Sequence, residues 1–324
     1  MDFRRDRPAA RPRRDRPAAG PRGAMLAIGV TAAVILLAAC SVTIPPRRAP
    51  QAPHPSDTPT AGAAASAAAA GDAYVPQPGG PIWMLTRAAL AQLVADPSTL
   101  VQLASVQVDE ILQPGQKPLP GFAAQTVITF SSASTLEATV NDDQIPAGTY
   151  GVLYDPEAWD FTPLSEQQDP VQAAAQAAAA AHAHGLRLIV TPALNLTTVL
   201  SPSSQLPRWQ QFLDLNLIGS LAKVADVVEL QAQSLERDSG TYASFVQAAA
   251  QQARAAKPGV GVLAGLSTNP PGEAVDSQQL TAAIQATKSL VDGYWLNIPG
   301  QGPRCPTCNA PNPGIAIQTL LAVS

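Results

Sequence analysis

Two carboxylates stand two residues apart in Tyr154-Asp155-Pro156-Glu157-Ala158-Trp159-Asp160, directly after the apolar run Gly151-Val152-Leu153. Side chains alternate along an extended chain, so Asp155 and Glu157 leave on the same side. An apolar run that breaks into acids and aromatics reads as a buried strand opening on a polar mouth, where a barrel enzyme carries its chemistry. The ends of the later apolar runs add Thr191, then Gln231 and Gln233, then Ser267 and Thr268, then Asn297, with Tyr154, Trp159, Tyr294 and Trp295 close by. Acids and amides bond hydroxyl groups, and flat rings pack on the C–H faces of sugars, so the set suits a polyhydroxylated, carbohydrate-like ligand. It contains no histidine, lysine or cysteine, which disfavours Schiff-base chemistry, triad hydrolysis and metal-assisted hydrolysis. Carboxylate chemistry is what remains, and no cofactor or metal is expected.

These residues need strands to carry them, and the second half of the chain alternates strand with helix. Residues 151–155 read as strand, and 170–184 as an alanine-rich helix stopped by Gly185, where glycine accepts a left-handed turn. Strands then follow at 186–192, 227–233, 260–266 and 293–298, with helices at 209–224, 242–256 and 276–290 between them. Strands so connected are parallel by the crossover rule. The first half gives a strand at 82–85 with its helix at 88–103, a second strand at either 106–108 or 109–112, and a third at 126–130 before a short helix at 134–141. Three strands and five make a (β/α)8 TIM barrel over residues 81–324, about 240 residues, the usual size of that fold. The alternative is a doubly wound open sheet, for which the Gly-x-Gly-x-x-Gly fingerprint is missing. His182 and His184 point apart on their helix and read as surface residues. Trp83, Trp209 and Tyr242 read as core.

Ahead of residue 81 the composition changes. Residues 1–23 hold eight arginines against three aspartates, and the stretch 24–40 is largely apolar. A basic leader before a short apolar run is the pattern of a secretory signal peptide, here 1–39, and the run is at or below the ~17–25 residues a spanning helix needs. Leu37-Ala38-Ala39-Cys40 resembles the bacterial lipobox, which implies Cys40 as the lipidated first residue of the mature chain. Residues 40–80, rich in Pro, Ala, Ser and Gly, bury too little to fold and read as a disordered tether. The expected location is the extracytoplasmic face of a bacterial cell membrane, with a lipid anchor in it. Losing the leader leaves 12 basic against 21 acidic residues, a net charge near −9 instead of −4. That balance argues against nucleic acid and anionic lipid as partners. The sequence names no protein partner.

With Cys40 assigned to lipid, Cys305 and Cys308 remain, in Cys-Pro-Thr-Cys. Such a pair serves as a redox motif, half a zinc site or a structural disulfide. Zinc lacks further ligands, the histidines being His54, His182 and His184. A redox pair opens a helix that lowers the thiol pKa, whereas this one lies in a loop of Gly, Pro and Asn. A small loop disulfide is the favoured reading outside the membrane.

A secreted (β/α)8 domain with Asp155-x-Glu157 closing its fourth strand resembles the chitinase-type glycoside hydrolases and their inactive relatives. The resemblance implies Glu157 as general acid and Asp155 as the residue that steadies the substrate's acetamido group. The family motif reads Asp-x-x-Asp-x-Asp-x-Glu, and this chain carries Tyr150 and Leu153 at the two earlier aspartate positions, with Pro156 inside the pair. Without help from an acetamido group, cleavage needs two carboxylates, which Asp155 or the more distant Glu229 and Glu236 would complete. Two function classes follow. One is a glycoside hydrolase acting on a polysaccharide. The other is a non-catalytic lipoprotein whose barrel mouth binds a glycan or another cell-envelope ligand. Replacement Cys40→Ser is expected to abolish incorporation of labelled palmitate and to leave the unprocessed, heavier precursor. Label retained on that variant would sink the anchor assignment.

Overall fold

The computed structural model describes residues 80–270 and 274–323. The leader 1–39, Cys40 and the tether as far as residue 79 lie outside the described residues. Eight short runs of mostly β-branched and large apolar residues form the strands: β1 (Ile82–Thr86), β2 (Val108–Leu112), β3 (Gln125–Phe130), β4 (Gly151–Tyr154), β5 (Arg187–Val190), β6 (Val227–Leu230), β7 (Gly261–Ser267) and β8 (Gly293–Asn297). Each pairs in parallel with the next, and β8 returns to pair with β1, so the sheet closes into the (β/α)8 TIM barrel.

Alternation then sorts the side chains into two cores. Ile82 and Met84 of β1, followed by Ile111, Val127, Leu153, Ile189, Val227, Leu263 and Trp295, point inward and fill the middle of the barrel with at least one residue from every strand. Their neighbours, among them Trp83, Val152, Tyr154, Val228, Leu230 and Tyr294, point outward and pack under the ring of helices. In that outer layer Trp83 meets Tyr294 at 5.6 Å between ring centroids. Tyr242 is fully buried there, and its hydroxyl donates to the Gly265 carbonyl at 3.0 Å. Trp209 is only partly buried against the same layer.

The second strand takes the 109–112 alternative, extended by one residue. The expected single helix over 88–103 is two, Arg87–Val94 and Pro97–Leu103, because Asp96 caps the second by accepting from the Ser98 and Thr99 amides at 2.9 and 3.2 Å, with Pro97 at its first position. The stretch 209–224 likewise divides into Arg208–Asp214 and Leu217–Ala222, where Asn216 adopts φ 46°. A helix at Pro313–Ala322, not anticipated from the sequence, follows β8 and packs on the first two helices, Gln102 Nε2 donating to the Leu320 carbonyl at 2.8 Å. His182 is exposed and bonds Asp226 at 2.8 Å across to the start of β6.

At the bottom of the barrel, below the apolar belt, Asp109 accepts from Gln107 at 2.9 Å, and the Arg187 guanidinium lies 5.3 Å from the centre of the Tyr150 ring. Burial pushes the Asp109 carboxyl up to about 6 although Gln107 and Arg187 pull it back. Conserving such a cluster would serve stability, since chemistry in this fold sits at the other end.

Closure of the barrel depends on one small residue. A Cβ at Gly293 would stand 2.2 Å from the Ile82 carbonyl oxygen, a backbone atom of the neighbouring strand that cannot swing away. Gly293→Ala is therefore expected to pry the β8–β1 seam and cost about 1–3 kcal/mol, the usual range for overpacking. The measurement is the denaturation midpoint in urea; an unchanged midpoint would show that the seam tolerates the methyl group.

Candidate functional site

The register of β4 decides which of its residues reach the mouth. Leu153 points into the barrel and Tyr154 out of it, so Asp155, just beyond the strand, points inward again. Tyr154 was expected at the mouth among ligand-binding residues, and it is not there. It is fully buried under the helices, and its hydroxyl donates to Glu166 at 3.0 Å. The cause is parity: adjacent strand residues face opposite sides, so Tyr154 and Asp155 cannot share one pocket. Tyr294 leaves the mouth for the same reason and donates to the Ile284 carbonyl.

Asp155 is buried and accepts from Thr191 Oγ1 and from Gln231 Nε2, both at 2.8 Å. Thr191 comes from the end of β5, beside Asp155 in the register, and Gln231 from just past β6, where its amide also donates to the Thr191 carbonyl at 2.9 Å. Burial raises the Asp155 carboxyl to about 6, held down in part by Thr191, the Arg304 guanidinium and Gln231. Glu157 is half-buried and accepts from Asn195 Nδ2 at 3.2 Å. Burial first, and the negative charge of Asp155 second, push it up to about 8, against the pull of Asn195 and Arg304. Two carboxyls two residues apart thus sit in different surroundings, one able to ionise near neutral pH and the other holding its proton.

A third acid lies beneath them. Glu229 points inward from β6, two residues above Val227 of the apolar belt, and is fully buried, with neither carboxyl oxygen hydrogen-bonded among the described residues. Burial, with the charges of Asp155 and Glu157 next, lifts it well above the ordinary carboxyl range. The neighbouring strand makes room for it: a Cβ at Gly265 of β7 would stand 2.5 Å from a Glu229 oxygen and from the Gln233 amide. Gln233 therefore lies over β7 beside Glu229. Ser267 is buried at the end of β7, its amide donating to Glu236 at 2.8 Å.

The loop after β4 is fixed from several sides. Thr162 Oγ1 donates to the Ser131 carbonyl at 2.9 Å and accepts from the Glu157 amide at 3.2 Å and the Trp159 indole at 2.9 Å. Gln167 donates to the Trp159 and Thr162 carbonyls at 2.8 and 2.7 Å. Glu166 takes the Ala133 amide at 2.7 Å and the Ser132 and Ser134 hydroxyls at 3.0 Å, which ties the loop to the start of the helix Ala133–Asn141. Glu157 is consequently presented by a rigid turn.

Above the acids is a cleft of about 410 Å³ that Asp155, Glu157, Trp159, Trp295 and Asn297 line together with Thr129, Gln113 and Arg304. Trp295 forms part of its floor, and its indole N–H has no hydrogen-bond partner among the described residues. Thr191, Gln231, Gln233 and Ser267 do not line it. Thr191 and Gln231 bond Asp155 instead, and Gln233 lies beside Glu229. Residues missed from the sequence are Asn195, Gln113, Thr129 and Arg304. Three come from loops whose composition carries no periodic signal, while Thr129 could have been found as the inward residue two places after Val127. Cys305 and Cys308 form a disulfide in the loop that carries Arg304. Among the described residues no three His, Cys, Asp or Glu side chains are grouped to hold a metal ion.

No protein-family model and no curated protein sequence matches this chain. Among solved structures it is similar to a candidate alpha-L-fucosidase from Bacteroides thetaiotaomicron at 10% identity, covering 78% of this chain and 96% of that one with a TM-score of 0.46. A chitinase from Chromobacterium violaceum is similar at 12% identity, covering 75% and 99% with a TM-score of 0.43. Triosephosphate isomerase from Bartonella henselae is similar at 13% identity, covering 67% and 92% with a TM-score of 0.38.

Burying Glu229 without a partner has a measurable cost. Its folded pKa is raised, so its contribution to stability is whole below its unfolded value of 4.5 and is lost as pH rises through the folded value. Over that window the loss runs at about 1.4 kcal/mol per pH unit for one proton. Glu229→Gln keeps the shape and stays neutral. It should match the wild type near pH 4.5 and exceed it increasingly towards pH 8 in thermal unfolding. A gap that does not widen with pH would show that Glu229 does not carry the proton.

Proposed function

We propose that the cleft binds a glycan and that Glu157 is the acid that protonates a glycosidic oxygen, with Asp155 as its ionised partner. The observation that carries this reading is the unequal environment of the two carboxyls. Asp155 has two donors on one oxygen, and Glu157 has a single donor and a buried setting beside a negative charge. That division is what general acid catalysis requires. The Glu157 proton passes to the bridging oxygen as the bond to the anomeric carbon breaks. Asp155 steadies the positive charge that develops there, and water adds to the anomeric carbon, returning a proton to Glu157. Trp159 and Trp295 supply ring faces for sugar C–H groups, and Asn297 an amide for hydroxyls. The basic leader and the lipobox-like Cys40 support anchorage at the extracytoplasmic face of the cell membrane, which would set the cleft towards glycans of the envelope or surroundings.

A second reading, a glycan-binding lipoprotein without turnover, is favoured by one feature. Leu153 belongs to the apolar belt and Tyr150 packs against it, where the chitinase-type motif has acids. Turnover of a glycan panel separates the two readings. Under the first, Glu157→Gln lowers turnover of a responsive glycan at least about 100-fold and leaves its binding measurable. Activity of the wild type should follow a bell, falling as pH drops through about 6, where Asp155 gains a proton, and as it rises through about 8, where Glu157 loses one. Both limbs belong to the pair as a unit. Binding with no turnover at any pH would decide for the second reading.

A further inference from the structure

The cleft contains one cationic side chain, and its placement is built rather than incidental. Arg304 is exposed on the loop after β8, yet its guanidinium lies 5.7 Å from the centres of both the Trp159 and the Phe161 rings. Those rings meet edge to face at 5.0 Å, forming a corner against which the guanidinium rests. Its Nη2 donates to Gln113 Oε1 at 3.2 Å, and among the described residues Gln113 is its one hydrogen-bond acceptor. A guanidinium has five N–H donors in a planar fork, so most of them remain for a ligand in the cleft that Arg304 lines.

The loop itself is stapled. Gly302 and Cys305 exchange backbone hydrogen bonds at 3.2 and 3.0 Å around Pro303-Arg304, and Cys305 is bonded to Cys308, which is buried at the loop's base. The Gln301 amide donates to the Asn309 carbonyl at 3.1 Å, and Gly300 stands against Pro311, leaving no room for a Cβ. Arg304 thus pays little ordering entropy when it engages a ligand, which is the condition under which a long side chain confers specificity. Its charge also opposes Asp155 and Glu157 across the cleft. A ligand carrying negative charge would be repelled by Asp155 without it.

We infer that Arg304 is a specificity-determining residue that selects glycans bearing a carboxylate, such as uronic acid residues, by a forked pair to that carboxylate at the rim of the cleft. The inference rests on the glycan reading above and deepens it. A planar carboxylate matches the guanidinium fork in a way a hydroxyl does not.

The test uses the full-length chain, solubilised, and pairs of oligosaccharides of one linkage: a uronic acid oligomer and its carboxyl-reduced, neutral counterpart. Wild type should bind the acidic member at least about tenfold more tightly, as a charge-assisted forked pair provides. Arg304→Gln should bring that ratio close to one, and Arg304→Lys should restore only part of it, since charge without the fork is insufficient. The double variant Cys305→Ser, Cys308→Ser should also lower the ratio, because the guanidinium is no longer pinned at the rim. The inference is overturned if wild type binds both members of every pair equally. It is also overturned if Arg304→Gln weakens both by one factor and leaves the ratio intact, which would make Arg304 only a brace for Trp159 and Phe161. If no oligosaccharide of either kind binds, the glycan reading falls, and this assignment falls with it.

Discussion

Three carboxyl groups share the top of a closed barrel, and most of what is distinctive about the molecule follows from the fact that they cannot all be ionised. Burial raises the proton affinity of all three, and the charge of Asp155 adds to this at Glu157, as the charges of both do at Glu229. The protein answers this conflict unequally. Donors from Thr191 and Gln231 converge on Asp155, one amide reaches Glu157, and Glu229 receives none. The distribution of neighbouring donors thus sets the acids apart, Asp155 being held nearer the ordinary carboxyl range of the two at the cleft.

Such a distribution is useful only if the acids stay where they are put. Glu157 lies beyond the strand, on a segment that would wander were it not bound at both ends. Thr162 holds its amide and the Trp159 ring, Gln167 holds two carbonyls, and Glu166 ties the segment to the neighbouring helix while accepting the hydroxyl of Tyr154. Tyr154 thus supports the mouth from outside the barrel. Its phenol is a strut, and the acid next to it in sequence is the working surface.

The barrel was legible in the chain because each strand is an apolar run of the right length between turn residues, and because parallel strands buried on both faces read as near-continuous apolar segments. Where the reading slipped, local chemistry had overruled periodicity. Asp96-Pro97 is a cap-and-start signal inside a continuous helical pattern, and Asn216 turns left-handed within an apolar periodicity that runs on through it. At the site, strand parity brought Asp155 and Gln231 to one end and excluded Tyr154, an outcome contained in the alternation rule itself, whereas Glu157 lies past the end of β4 and is placed by its loop. Glu229 on β6 shares the parity of Gln231, so alternation carried its inward direction, while its depth beneath Asp155 depends on the barrel. Asn195 and Arg304 were invisible, since each reaches the acids from a loop whose path depends on the rest of the fold.

The apolar belt of nine residues that spans the barrel has a further consequence. It separates the acids at the mouth from the buried Asp109 and the half-buried Arg187 at the opposite end with a layer that offers no group to accept a proton or a charge. The barrel axis is consequently closed to proton traffic. The cleft that Trp159 and Arg304 help to line is the opening onto Asp155 and Glu157. A ligand that fills the cleft therefore stands between Asp155 and Glu157 and the solvent.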